Sequence, residues 1–408
     1  MLLCCIDDVT PGTLLGASVI HPTRADLELL RPNVVLDATL LRRLKKMGVG
    51  QVWIHHDATA DLDLAALTNL NSANMNVFHA VRDSFNSLSP RTFFSGNFQT
   101  YRNVVMNLIV EIISSRSLSG VVGRMLNDDQ QLFAHSANVA YLSLLVGLQL
   151  EPYVVAQRGS RDIRDARDMT NLGMGAMMHD LGKIAWPAAQ QKRHSISGDT
   201  GDAQVDQAYR NHAIDGFNML SGIGAPATMI NTILHHHQRF DGGGWPDMIE
   251  VTSGRRTGKL QGHDIHIFSR IVAAANVLDN LTLDAKGRPR PLVAAIYDLA
   301  GPRFDGWFDP VVRDAIVRCI SPFSVGSQVT LSDARQAVVI APNVNHPCQP
   351  VVRPLVSEGD VVDTVDLVNH PELFITHWTG IEVSKWKYEP KPVEPSKEKA
   401  AGLAKTSS

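Results

Sequence analysis

The stretch MGAMMHDLGK, residues 174–183, decides how this chain is read. Its apolar half, MGAMM, has the character of a buried helix, and the glycine of HDLGK starts a turn directly after it. His179 and Asp180 are consecutive at that helix end, so both side chains can enter one cleft. A carboxylate flanked by imidazoles can hold two cations about 3.5–4 Å apart, the arrangement used by two-metal hydrolases. Lys183 lies one turn further on, within reach of a phosphate oxygen.

Further histidines lie outward from this point. In HHHQRFDGGGWP, residues 235–246, His236 and His237 close a helix that begins near Pro226. Asp241 and three glycines then form a tight loop of the kind that lets backbone approach a ligand. Upstream, His135 follows Gln131 by four residues and shares a helix face with it. His212 lies inside QAYRNHAIDGFNML, and Asn276 and Asp279, three apart in RIVAAANVLDNLT, share another face. Of the chain's 16 histidines, seven fall between residues 135 and 237, a local excess of a residue that serves both as metal ligand and as acid or base.

Composition narrows the function classes. The chain has 408 residues, 44% hydrophobic and 19% charged, enough for two or three domains with sizeable cores. A net charge of −3 argues against a nucleic-acid polymer or a membrane surface as partner, so phosphate recognition must be local. Cys4, Cys5, Cys319 and Cys348 form neither a disulfide framework nor a thiolate zinc pattern, which fits a reducing compartment. No apolar run is read as a membrane span, and the start, MLLCCIDDV, lacks the basic flank of a signal peptide. The expected location is cytoplasmic.

Pattern changes along the chain predict a mainly α fold with small flanking modules. Residues 1–90 read as a small α/β module, with a short helix from Asp37 to Gly48 and a strand in GVGQVWIHH. Residues 98–321 carry helical periodicity, as in Val104, Val105, Leu108, Ile109, Ile112 and Ile113. Residues 322–386 are short and β-branched, a small β module, and the Lys-, Glu-, Pro- and Ser-rich tail 387–408 is expected to be disordered.

The order of these motifs resembles the HD-GYP family over roughly residues 100–325: His135–Ser136, then His179–Asp180 with Gly182 and Lys183, then His212, then His236–His237 followed by Asp241-Gly242-Gly243-Gly244-Trp245-Pro246. The resemblance implies an HD-type helical bundle holding two divalent ions, iron or manganese. It implies a phosphodiesterase that opens cyclic di-GMP to linear pGpG or on to GMP by attack of a metal-bound hydroxide. His135, His179, Asp180 and Asn276 would surround one ion, and Asp180 would bridge to a second held by His212, His236 and His237. Asp180 and Lys183 would be catalytic, Lys183 by stabilising charge on the phosphoryl oxygens. Lys183, Asp241, Gly242, Gly244, Trp245, Arg288 and Arg290 would contact substrate. Signalling proteins and a second copy of the chain are the expected macromolecular partners.

The chain departs from the family pattern at Asn276, where an aspartate ligand is usual, at Gln131 in place of a glutamate of three-metal members, at Trp245 in place of the tyrosine, and at Gln238. These changes keep a second reading open, a degenerate member that binds cyclic di-GMP or a protein without hydrolysis. Other assignments are plainer. His212 alone would read as a core histidine, His235 as the non-ligand of its triplet, His194 as a solvated loop residue, and His263 and His266 as surface or capping residues. Trp245 reads equally well as a loop anchor or a base-stacking platform, and Arg288 and Arg290 as a solvated pair.

Overall fold

The computed structural model describes residues 1–21, 24–62, 65–85, 90–115, 131–159, 162–185, 207–249, 256–355 and 363–390. At the N-terminus come strands β1 (Leu2–Cys5), β2 (Thr13–Leu14), β3 (Val19–His21), β4 (Arg24–Leu30) and β5 (Val35–Leu36), then helix α1 (Ala38–Lys46) and strand β6 (Gln51–Ile54). Asp37 opens α1 by accepting from the N–H groups of Thr39 and Leu40 at 2.8 and 2.7 Å, two donors the first turn leaves unpaired. Gly48 closes it with φ +82°, the left-handed conformation that favours glycine after a helix. The chain then enters β6, antiparallel to β1 with Leu2 opposite Ile54. Leu41 and Leu44 join Leu2, Cys4 and Val52 in one buried cluster.

The helical body follows: α2 (Ala65–Phe85), α3 (Pro90–Ser114), α4 (Gln131–Gln149), α5 (Glu151–Gln157), α6 (Ile163–Arg167), α7 (Thr170–Met177), α8 (Gln207–Leu220), α9 (Ala227–His235), α10 (Ile267–Leu281), α11 (Leu292–Ala300) and α12 (Pro310–Cys319). α2 lies within the range read from sequence as the N-terminal module, yet Leu70, Ala73, Val77, Phe78, Val81 and Phe85 bury in the helical core. Their spacing of three and four is a helical stripe; the asparagines between them obscure it. On α3 the buried stripe is Tyr101, Val105, Leu108 and Ile112, while Ile113 is exposed. α10 is buried along its whole length and packs against α4, so these two helices form the centre on which the site is built. Residues 132–149 of α4 are, by length and composition, apolar enough to cross a bilayer, which the sequence reading had not recognised; 78% of that window is buried inside the helical body.

A short hairpin, β7 (Met248–Ile249) with β8 (Arg256–Gly258), follows the glycine loop. The C-terminal strands are β9 (Gln328–Leu331), β10 (Gln336–Ala341), β11 (Val351–Pro354), β12 (Val365–Asp366), β13 (Ile375–Trp378) and β14 (Ile381–Glu382). They form an antiparallel sheet in the order β12-β11-β10-β9-β13-β14. Alternation along β10 explains its burial on both faces: Ala337 and Val339 join the helical core, while Val338 between them joins the N-terminal cluster. The N-terminal module is therefore docked on the outer face of the C-terminal sheet. Leu3 N–H donates to the Gly326 carbonyl at 2.7 Å, and both Arg353 Nη groups hold the Asp61 carboxylate at 2.7 and 2.8 Å. Tyr388, placed in the disordered tail by the sequence reading, is buried in the helical cluster; residues 391–408 lie outside the described residues.

Candidate metal centre

α7 is capped by Met178, and the next two residues are His179 and Asp180, both buried. A tight turn follows, with the Lys183 N–H donating to the Asp180 carbonyl at 2.9 Å. His135 comes from α4, His212 from α8, and His236 and His237 from the C-terminal end of α9; all are buried.

The two oxygens of Asp180 face different groups. Oδ2 lies 3.4 Å from His179 Nε2 and 3.9 Å from His135 Nε2, while Oδ1 lies 3.2 Å from His212 Nε2 and 4.0 Å from His236 Nε2. His135, His179 and Asp180 form one cluster with ligand atoms within 4.8 Å of one another, and His212, His236 and His237 form a second.

Hydrogen bonds behind the rings decide which nitrogen faces inward. His179 Nδ1 donates to the Ala176 carbonyl and His236 Nδ1 to the Ile233 carbonyl, each at 2.7 Å and each three residues back. His212 Nδ1 does the same to the Tyr209 carbonyl. His135 Nδ1 instead donates to Asp279 Oδ2 at 2.7 Å. A neutral imidazole carries one N–H, so a ring that donates from Nδ1 presents a bare lone pair at Nε2. Those lone pairs meet: His135 and His179 Nε2 are 3.3 Å apart, and His212 and His236 Nε2 are 3.2 Å apart.

At three of the rings burial disfavours the imidazolium. Burial brings His179 down to about 4, and it holds His236 and His237 well below the ordinary histidine range. Burial alone would raise Asp180, but the Lys183 ammonium beside it reverses the effect and holds the carboxyl well below the usual carboxylate range. Imidazole nitrogens converging on an ionised carboxylate are a donor set suited to divalent cations.

Glycine makes this convergence possible at two places. A Cβ on Gly182 would lie 1.9 Å from the His212 carbonyl oxygen and 2.7 Å from the Gly216 nitrogen, so the turn after Asp180 rests directly on the α8 backbone. A Cβ on Gly244 would lie 2.3 Å from the Arg239 nitrogen and 2.4 Å from the His237 oxygen, so the loop folds back on the end of α9. Trp245 then stacks on His237, centroids 3.9 Å apart and planes at 18°, with Tyr209 edge-on at 5.7 Å. Trp245 is buried, which favours the anchoring role over the base-stacking one. Gln238 Nε2 ties the loop down at the Pro246 carbonyl, 2.6 Å away.

Not every residue singled out from sequence reaches the clusters. Asp241 is engaged within its loop, accepting from the Gly243 N–H at 2.8 Å and pairing with Arg239 at 2.5 Å. Arg288 pairs with Asp284 in the turn after α10, and Arg290 with Asp298 of α11, at 2.6 and 2.7 Å. Local carboxylates thus hold both arginines. Lys183 Nζ sits 2.6 Å from Asp180 Oδ2. Asn276 is buried, and its Oδ1 accepts from Asn280 Nδ2 at 3.0 Å. His266 caps α10 at the Phe268 N–H, 3.2 Å away. His194 and the side chain of Gln131 lie outside the described residues. Sequence reading singled out Asp279 without giving it a role, and it missed Tyr209. The first shares a helix face with Asn276; the second lies three residues before His212, and that spacing was the available signal.

Comparison with known proteins agrees with this geometry. A family profile described as HD domain matches residues 121–312, which span both clusters and the glycine loop. A cyclic di-GMP phosphodiesterase of Pseudomonas aeruginosa is 28% identical over 222 residues, 53% of this chain and 46% of that protein. Residues 121–312 are thus similar to HD domains, in line with the resemblance read from the motifs. A second relative, the cyclic di-GMP phosphodiesterase response regulator RpfG of Xanthomonas campestris pv. campestris, is 31% identical over 159 residues, 36% of this chain and 35% of that protein. The matched stretch spans less than half of either relative. Among solved structures, an HDG"Y"P protein of Bdellovibrio bacteriovorus aligns with a TM-score of 0.45 at 17% identity, over 78% of this chain and 98% of that one. The fold is mainly α, a helical body flanked by small N-terminal strands and a C-terminal sheet.

Proposed function

We propose that the chain is a metal-dependent phosphodiesterase that hydrolyses cyclic di-GMP to linear pGpG or GMP. Asp180 carries this proposal: one buried carboxylate turns its two oxygens to two separate imidazole clusters. The names of the two curated relatives supply the substrate. His135, His179 and Asp180 Oδ2 would hold one ion, with Asn276 of α10 the further ligand that the family pattern implies; His212, His236, His237 and Asp180 Oδ1 would hold the other. Nitrogen and oxygen donors without thiolate suit iron or manganese. Such ions, when bound, supply Lewis acidity toward the phosphodiester and make water nucleophilic near neutral pH.

The protein's own side chains orient and exclude. The buried rings keep bulk water from the clusters, and the i−3 carbonyls hold Nε2 of His179, His212 and His236 at the reacting face. Lys183 rests on Asp180 Oδ2, and its ammonium would stabilise charge on a phosphoryl oxygen of a substrate held there. Trp245 fixes His237 by stacking on it. Cyclic di-GMP is the small-molecule partner in this reading, and a bacterial cytoplasm the setting.

The test is turnover of cyclic di-GMP by protein reconstituted under reducing conditions with iron or manganese, followed by separation of products. Absence of product with either metal overturns the hydrolase reading. Asn276, neutral and bonded to Asn280, specifically favours a second reading in which the domain binds cyclic di-GMP without cleaving it. Calorimetric binding without turnover, joined to turnover in Asn276→Asp, is the result that selects it.

A further inference from the structure

The first cluster has one feature the second lacks. Three of the site imidazoles rest their Nδ1 on a backbone carbonyl of their own chain segment, whereas His135 rests on a carboxylate from another helix. Asp279 on α10 is buried, with Oδ2 accepting from His135 Nδ1 at 2.7 Å and Oδ1 accepting from Asn138 Nδ2 at 3.1 Å. His135 and Asn138 are three residues apart on α4, so they share the face that α10 crosses. Both carboxylate oxygens are thus engaged by a matched pair of donors.

From this arrangement we infer that Asp279 is the positioning residue of the first metal site, and that it supplies from behind His135 the negative charge that Asn276 does not supply directly. A carboxylate behind a ligating imidazole fixes the ring and raises the basicity of its outer nitrogen. The inference rests on the metal reading above. It also gives the two sites distinct characters: the first depends on a carboxylate brought in by tertiary packing, the second on carbonyls fixed by local helix geometry.

The test measures Mn²⁺ affinity of the full chain by chelator competition, with metal content per chain, for wild type, Asp279→Asn and Asn138→Ala. For Asp279→Asn the affinity of one ion is expected to fall about 10–100-fold while the other holds, the loss typical of second-layer partners. Asn138→Ala, which frees only Oδ1, is expected to weaken the same ion by a smaller factor, and it serves as the reporter if Asp279→Asn does not fold. A merely structural Asp279 would lower the melting temperature of metal-free protein and leave both affinities unchanged. That result overturns the inference, as does an equal fall in both affinities or a wild type that takes up no Mn²⁺. Turnover of cyclic di-GMP is read separately. Its absence from Mn²⁺-loaded wild type overturns the substrate assignment and leaves the affinity comparison intact.

Discussion

Gly182 and His212 touch backbone to backbone, so closely that a side chain at 182 would collide with the carbonyl of 212. This contact sets the 3.2 Å separation of Asp180 Oδ1 from His212 Nε2 and so joins the turn after α7 to the second cluster.

Gly182→Ala is the direct consequence. The neighbour at 1.9 Å is backbone and cannot yield as a flexible side chain would. Overpacking of this kind costs about 1–3 kcal/mol or more. Thermal unfolding is expected to show that loss, and metal analysis a weakened second site. A stable variant with full metal content would mean that α8 moves away at no expense to the site.

Asp180→Asn removes the charge shared by both clusters and leaves the Lys183 ammonium buried without its partner at 2.6 Å. Breaking a buried pair this way costs about 3–5 kcal/mol. Denaturant unfolding of metal-free protein is expected to report it, and adding Lys183→Met to recover part of the stability without restoring metal. Full metal content in Asp180→Asn would remove the carboxylate from its bridging role.

Acid sensitivity follows from the histidines. In the folded state burial lowers His179 from an ordinary 6.5 to about 4, so the unfolded chain binds its proton more readily. This contribution is whole above about pH 6.5, declines as pH falls toward about 4 and levels off below, roughly 3 kcal/mol over the window at about 1.4 kcal/mol per unit. His236 and His237 shift in the same direction. Urea midpoints of chelator-treated protein between about pH 7.5 and 4.5 are expected to fall, and to fall less steeply in His179→Asn. Equal slopes would remove His179 as a contributor.

Trp245→Ala is expected to cost about 3–5 kcal/mol and Trp245→Phe considerably less, since the ring is buried and stacked on His237. Thermal unfolding with parallel metal analysis checks both. If Trp245→Ala instead leaves stability unaltered and weakens only cyclic di-GMP binding, the residue is a substrate platform and not an anchor.

Much of this protein is written locally. Asp37 and Gly48 mark both ends of α1 because a cap acts within one turn. The sequence spacing of His135, His179–Asp180, His212 and His236–His237 points to the site residues because each lies on a periodic helical segment. Helical register orients a histidine toward its own carbonyl three residues back, so even the inward nitrogen of His179 and His236 is a local property.

What local pattern could not decide depends on contacts between distant residues. Nothing near Asp279 in the chain indicates that its carboxylate meets a ring 144 positions away. The arginines of the turn after α10 carry the right charge for phosphate, yet Asp284 and Asp298 hold them. The asparagines of α2 hide its apolar stripe until packing against α3 and α4 reveals it. Alternation at Ala337, Val338 and Val339 is legible as a strand, but only the tertiary structure shows that one face meets the helices and the other the N-terminal module. Hydrogen bonding within a turn is encoded by neighbours in sequence; burial and the pairing of charges are settled by whichever surfaces the folded chain brings together.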